Sequence, residues 1–334
     1  MHNLRNKIYY TIRPILPRRF QVFIRRLYIR LIANRHTQGW PIDPDADEVP
    51  KNWTGWPDNK RFAFVLTHDV DTAKGYSRIK ELADLEIESG FRSSFNFVAR
   101  RYDIEMRDLQ YLTEKGFEIG VHGVYHDGRK FDSYAIFKER ADIINQCLSD
   151  WNAVGFRAPS MLRNLEWIGE LDIEYDSSTF DTDPFEPQSD GVRTIFPYRI
   201  ENKKRGSGFI EIPYTLPQDF TLFVLLQEDS IRIWEKKLDW IAECGGMALL
   251  NVHPDYMYFG KGKRCCDEYP AERFQELLNL VQSRYQGQYW NALPRDVARF
   301  WNQNIHTGES DLLNKKENLG GFRHVERDAE TGSP

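Results

Sequence analysis

Through the middle of the chain, short apolar runs alternate with longer amphipathic stretches, the pattern of strands feeding helices. Arg61 to Leu66 is a short apolar run, and Ser77 to Ser89 carries helical periodicity up to a stop at Gly90. Ser93 to Val98 reads as a strand, Ile104 to Lys115 as a helix closed by Gly116, and Phe117 to Val121 as the next strand. A long helix over Ser133 to Trp151 leads to a strand at Ala153 to Phe156. Beyond it the pattern predicts a strand at Ile173 to Tyr175, a hairpin ending in Phe209 to Pro213, and a helix over Ser230 to Glu243. Met247 to Val252 is a buried strand and Ala271 to Tyr285 a helix, while the apolar run Phe220 to Leu226 suits either a strand or a helix core. Strands separated by helices imply an α/β fold with a parallel sheet, open or closed into a (β/α) barrel.

The chain divides into three parts. Residues 1–51 form a basic amphipathic arm with a Pro/Asp-rich linker, 52–302 the folded body, and 303–334 a polar tail expected to be mobile. In the arm, Pro17 suits the first position of a helix in which Phe20, Ile24, Leu27 and Leu31 recur as one apolar stripe. Arg18, Arg19, Arg25, Arg26 and Arg30 fall on another side of the same helix. Two readings follow for residues 17–33: a helix lying on a membrane surface of anionic lipid, or a helix docked on the body or on a partner.

Charge sharpens that contrast. Residues 1–42 hold nine Lys/Arg and no acid, so the rest of the chain carries all 50 acidic residues against 36 basic ones. An acidic body with a basic arm does not read as a nucleic-acid protein. No apolar run approaches the roughly 20 residues needed to span a bilayer, and no signal-peptide pattern opens the sequence. The four cysteines follow no CxxC spacing and read as reduced and structural, so the expected location is cytoplasmic, with membrane association at the inner face through the arm.

Histidine placement carries the chemistry. Inside residues 37–305 only His68, His122, His126 and His253 occur, each just after or at the end of an apolar strand-like run. In parallel α/β folds that end of the strands is where reactive groups collect. The first strand runs into Thr67-His68-Asp69-Val70-Asp71, two carboxylates two positions apart that suit one metal ligand and one base. The third runs into His122-Gly123-Val124-Tyr125-His126, and a helical turn there would project both imidazoles toward one divalent ion. Gly123 in the Glu position excludes an HExxH protease. Arg157, in GFRAPS, would reach the same rim and hold a carboxylate ionised, and the Ser160 amide could face an oxyanion. His253, after GMALLNV, suits a general acid.

Taken together, THDVD, HGVYH, FRAPS, YDSSTFD and LLNVH resemble, in family order, the five motifs of the polysaccharide deacetylases (the NodB-homology, family 4 carbohydrate esterases). The resemblance covers residues 60–256 and extends through NALPRDVARFW near 301. It implies a distorted (β/α) barrel with one divalent metal, usually Zn2+. By position it makes Asp69 the catalytic base, His122 and His126 the metal histidines, Arg157 the residue that positions the base, and His253 the acid. Val70 stands where the commonest pattern has its second Asp, so the metal carboxylate falls to Asp71, as in family members with a D-x-D version. Asp176 and Asp181 are the candidates to steer His253, with Asp181 assigned. Gly123 replaces the usual Ser/Thr, which would weaken the support of a ligand histidine. The implied reaction is metal-dependent removal of an N-acetyl (or O-acetyl) group from a sugar or glycan intermediate, free or lipid-linked, in exopolysaccharide assembly. Trp53, Trp56, Tyr125, Tyr175, Tyr256 and Tyr258 lie near the motifs as candidates to stack on a sugar. Hydrolysis of a non-sugar C–N bond (cyclic ureide type) and a non-catalytic glycan-binding or membrane scaffold are the competing readings.

Overall fold

A computed structural model describes residues 16–36, 39–202 and 206–304. The rest of the arm and the tail from 305 onward lie outside the described residues. Helix α1 (Arg18–His36) precedes the barrel, whose first strand β1 (Phe62–Val70) is buried along its whole length. There follow helix α2 (Ile79–Glu88), strand β2 (Ser94–Phe97), helix α3 (Met106–Glu114), strand β3 (Glu118–Val121) and helix α4 (Tyr134–Asp150). The short strands β4 (Gly155–Phe156) and β5 (Tyr175–Asp176) come next, then the hairpin β6 (Tyr198–Asn202) and β7 (Ser207–Glu211). A π-helical segment, Phe220–Leu226, leads to helix α5 (Arg232–Cys244) and strand β8 (Met247–Val252). The small pair β9 (Met257–Tyr258) and β10 (Tyr269–Pro270), helix α6 (Glu272–Tyr285), strand β11 (Tyr289–Ala292) and helix α7 (Pro294–Asn304) complete the order.

Within the nine-stranded sheet every pairing is parallel except β6 with β7. Strand β1 is central: β8 lies along one edge, while the other pairs first with β11 and then with β2. The sheet curls from β2 through β7, and a parallel bridge between Leu216 and Leu250 brings the chain after β7 back to β8. The result is a distorted (β/α) barrel. Apolar side chains of α2, α5 and α6 such as Leu82, Trp234 and Leu278 are fully buried against it, which is why the strands read as short apolar runs rather than alternating ones.

Both ends of the barrel carry polar groups of different kinds. At the start of β3, Glu118 is buried and accepts hydrogen bonds from the Tyr175 hydroxyl at 2.8 Å and the Arg295 amide at 3.1 Å. Trp53 and Trp56 pack there with Trp301 and Phe300, and Trp56 Nε1 donates to the Gly245 carbonyl just before β8. Trp53, Trp56 and Tyr175 therefore close the barrel floor, away from the strand ends that carry the histidines, and are not sugar platforms.

Burial pushes the Glu118 carboxyl from its ordinary 4.5 up to about 7, against the donors that favour its ionised form. The proton is bound more tightly folded than unfolded, so its contribution is complete below the ordinary pKa and is lost as pH rises through about 7. Stability should drop by about 3 kcal/mol from this group alone over that interval. Denaturant titrations of wild type and Glu118→Gln at both ends of the interval check it: the variant should lack this part of the loss.

Candidate metal centre and active site

Strand alternation decides which residues of THDVD face the barrel interior. Thr67 and Asp69 share partners with Arg157, whereas His68 turns outward to Glu86 on α2, with Nε2 to Oε1 at 2.8 Å and the Phe95 ring at 4.7 Å. His68 is thus a buried structural histidine. The other three body histidines come together at the strand ends.

Asp71, His122 and His126 can each offer one ligand atom, all within 4.8 Å of one another, and all three are buried. Asp71 Oδ1 stands 3.4 Å from His122 Nε2 and 3.0 Å from His126 Nε2, and it has no hydrogen-bond donor. His122 Nδ1–H donates to the Arg157 carbonyl at 3.1 Å, which leaves Nε2 as its lone-pair nitrogen toward Asp71. Two imidazoles and one orphaned buried carboxylate oxygen, converging on one point, fit a divalent cation of the zinc class. Burial raises the Asp71 pKa, but His126 and His122 more than reverse this and hold it well below the usual range. Burial also lowers His126 despite Asp71, so the set is an anion with a neutral imidazole at His126, the protonation state a metal requires.

The His122–His126 loop is not helical. Gly123 (φ +70°) and His126 (φ +55°) both take left-handed backbone, and this bend brings the ring centroids to 5.3 Å. A Cβ at Gly123 would lie 2.8 Å from Pro159 Cγ, so the serine or threonine usual in related motifs has no room here. Support for His122 comes from the Arg157 carbonyl instead of a hydroxyl.

Beside the cluster, Asp69 accepts from Asn96 Nδ2 and Asn251 Nδ2, both at 2.9 Å, and lies 3.3 Å from Arg157 Nη1. Burial works against its charge, yet His122, Arg157 and His253 hold its pKa down to about 2. The register places both amides: Asn96 is opposite Asp69 in the β1–β2 pair, and Asn251 opposite Thr67 in the β1–β8 pair.

His253 is oriented by Asp219, not by Asp181 or Asp176. Asp219 Oδ1 lies 2.7 Å from His253 Nδ1, and its other oxygen accepts from the His253 amide at 2.9 Å and the Tyr269 hydroxyl at 3.0 Å. Burial disfavours the imidazolium, but Asp219, Asp71 and Asp69 raise the His253 pKa to about 10. Asp181 is instead the partner of Lys237 in a buried pair, and Asp176 accepts from Ser178 Oγ at 2.6 Å beside Glu211. The expected Ser160 amide sits in a left-handed turn (φ +56°) after Pro159. Of the candidate aromatics, Tyr256 faces the site, with its ring 5.2 Å from His253 and its hydroxyl 3.4 Å from Asp71 Oδ2. Tyr125 is exposed beside His126 with Arg140 over its ring, and the Tyr258 hydroxyl binds the Gly262 carbonyl.

Asn96, Asn251 and Asp219 were the functional groups missed from sequence. Asn251 sits inside LLNVH, and Asp219 directly precedes the apolar run Phe220–Leu226 as its cap, so both had a local signal.

Comparison with known proteins gives the fold a context. No protein-family model matches the chain, and no curated protein matches it in sequence. Among solved structures it is similar to a protein from Mycobacterium smegmatis assigned as a polysaccharide deacetylase (TM-score 0.59, 18% identity, 78% of this chain and 99% of the other). A protein assigned likewise from Pseudomonas aeruginosa PAO1 gives TM-score 0.59 at 17% identity over 79% of this chain and 98% of that one. An allantoinase is equally similar, with TM-score 0.60 at 16% identity over 80% and 99%.

Two outcomes are expected. Asp71→Ala should lower zinc affinity by at least 100-fold, whereas Asp69→Asn should retain stoichiometric zinc, as read by calorimetry and elemental analysis. Asp181→Ala leaves Lys237 buried without its partner and should cost about 3–5 kcal/mol of stability with zinc affinity unchanged. Barrel topology, the Asp71–His122–His126 cluster and these structural likenesses converge: this chain has the NodB-type polysaccharide deacetylase fold.

Proposed function

We propose that this protein is a metal-dependent hydrolase that removes an N-acetyl (or O-acetyl) group from a sugar or glycan intermediate, free or lipid-linked, of exopolysaccharide assembly. The observation that carries the reading is the convergence of Asp71, His122 and His126 between an ionised Asp69 and an imidazolium His253. A divalent ion held by Asp71, His122 and His126, zinc in this reading, would supply Lewis acidity to polarise a carbonyl and to acidify water.

The chain's own groups divide the remaining tasks. Asp69 takes a proton from the attacking water, and Arg157, Asn96 and Asn251 fix the carboxylate so that one geometry is presented. Arg157 acts as a positioning residue, since it is completely buried. His253 gives a proton to the departing amine, and Asp219 at Nδ1 leaves Nε2 for that transfer. One group starts ionised and the other protonated, the pairing a hydrolysis of an amide needs. Tyr256, against His253, and Tyr125, beside His126, are the aromatic side chains that would border a sugar ring in this site.

The likeness to an allantoinase supports a second reading, hydrolysis of a non-sugar C–N bond on the same site. The test uses the full chain loaded with zinc and a panel of N-acetylated sugars and oligosaccharides, with allantoin alongside. Acetate release should appear, and Asp69→Asn and His253→Ala should each lower it by about 10²–10⁴ with zinc retained. Asp219→Asn should lower turnover and shift the basic limb of its pH profile downward, while Asp181→Asn should do neither. Hydrolysis of allantoin without acetate release would favour the second reading, and stoichiometric zinc with neither activity would leave a binding scaffold.

A further inference from the structure

Helix α1 packs on the body with the side that carries its arginines. Val22 and Ile29 are buried, Arg18 Nε pairs with Asp267 at 2.8 Å, and Arg26 donates to the carbonyls of Val224 at 2.7 Å and Cys266 at 2.8 Å. Arg25 lies over the Phe220 ring at 4.7 Å. The body-facing side is therefore already satisfied. Opposite it, Phe20, Phe23, Ile24, Leu27 and Leu31 are 43–65% exposed. At about 100° per residue they share an arc of roughly 100°, bordered along one edge by exposed Arg19 and Arg30. Among the described residues, six of the ten exposed large hydrophobic side chains lie on this one helix, Tyr28 being the sixth.

We propose that this outward ridge of α1 seats the protein on an anionic lipid bilayer. The ridge supplies the apolar insertion and the arginines at its edge the headgroup contacts, the two terms of interfacial helix binding. Charge selects this occupant over a second copy. Exposed Arg19 and Arg30, the latter also on Gln227 Oε1 at 3.1 Å, border the ridge with no acidic residue on the helix, so ridge-to-ridge pairing would bring like charges together, whereas anionic lipid neutralises them. No described helix is long and apolar enough to cross a membrane, so the contact is peripheral.

The same helix walls the candidate site. Arg18 lies 5.7 Å from the Phe220 ring and 5.6 Å from the Tyr256 ring, and Tyr256 is the aromatic on His253 and Asp71. Seating the ridge in headgroups thus sets the cleft about one helix diameter, roughly 10 Å, from the lipid surface. Resting on the reaction proposed above, this makes the substrate class a saccharide displayed on a membrane-anchored carrier.

The experiment sediments the full chain with vesicles of phosphatidylcholine alone or with about 30% phosphatidylglycerol, at low and high salt. Binding should require the anionic lipid, weaken with salt, and drop at least tenfold in Phe23→Glu/Leu27→Glu and in the milder Phe23→Ser/Leu27→Ser. Zinc affinity and acetate release from a soluble acceptor should stay unchanged in both variants, which separates this inference from the reaction itself. Acetate release from an N-acetylated saccharide on a lipid anchor in those vesicles should exceed that from the soluble acceptor and lose its advantage in the variants. Equal sedimentation of wild type and variants, binding to neutral vesicles alone, or a wild-type dimer in light scattering that the variants dissolve would overturn the docking surface. Binding without preference for the anchored acceptor would overturn the substrate class alone.

Discussion

A single buried cation, Arg157, ties the barrel to its candidate chemistry. Its Nη1 reaches Thr67 and Asn251 at 2.7 Å and Asp69 at 3.3 Å, and its Nε and Nη2 bind the Ser177 carbonyl and hydroxyl at 2.7 Å. A guanidinium without solvent costs several kcal/mol unless every donor direction is met, so β1, β8 and the chain after β5 are held in one mutual arrangement. Its backbone carbonyl meanwhile fixes the His122 ring. One residue thus sets both the ionised carboxylate and the orientation of a candidate metal-ligand histidine.

That constraint explains why the site draws on so many strands. Asp69 and Asp71 ride on and just beyond β1, His122 follows β3, Arg157 follows β4, and His253 follows β8. Parallel pairing delivers these ends to one rim, and the register places Asn96 and Asn251 beside Asp69 without any loop. Groups carried on strands hold position more tightly than groups on loops. The exception is His126, whose left-handed backbone places strain where the geometry has to be forced.

Much of this was legible in the chain. The strand ends and their histidines follow from apolar runs closed by polar residues, and nearly every such run appears as a strand. What stayed hidden has particular causes. Strand β11 and helix α7 lie in a segment where YWNA is too short to declare a period and α7 shows its apolar face only once packed against the floor tryptophans. The partner of His253 is 34 residues away, so no spacing rule links it to Asp219. Asp181 satisfied the motif yet answers to Lys237, a charge on α5 that becomes its neighbour only through the fold. His68 shows the converse error, for strand ends collect histidines on both faces, and one position of alternation separates the site from the helix layer.

The arm makes the same point about one-sided reasoning. A stripe of Phe20, Ile24, Leu27 and Leu31 invites the inference that the apolar face docks, since burial of large side chains dominates folding energetics. The helix instead lays Arg18, Arg25 and Arg26 on the body, where their stems cover apolar surface and their heads meet carbonyls, Asp267 and two aromatic rings. That choice is physical rather than incidental. The body, residues 52–302, holds 40 of the chain's 50 acidic residues against 31 basic ones, so the basic side has partners there. The remaining apolar side has none on the body, and an exposed ridge of this size persists in a folded protein where something other than water meets it. In the membrane contact proposed above, a helix whose two faces suit two different surfaces would act as a spacer of fixed thickness between the lipid and Tyr256 and His253.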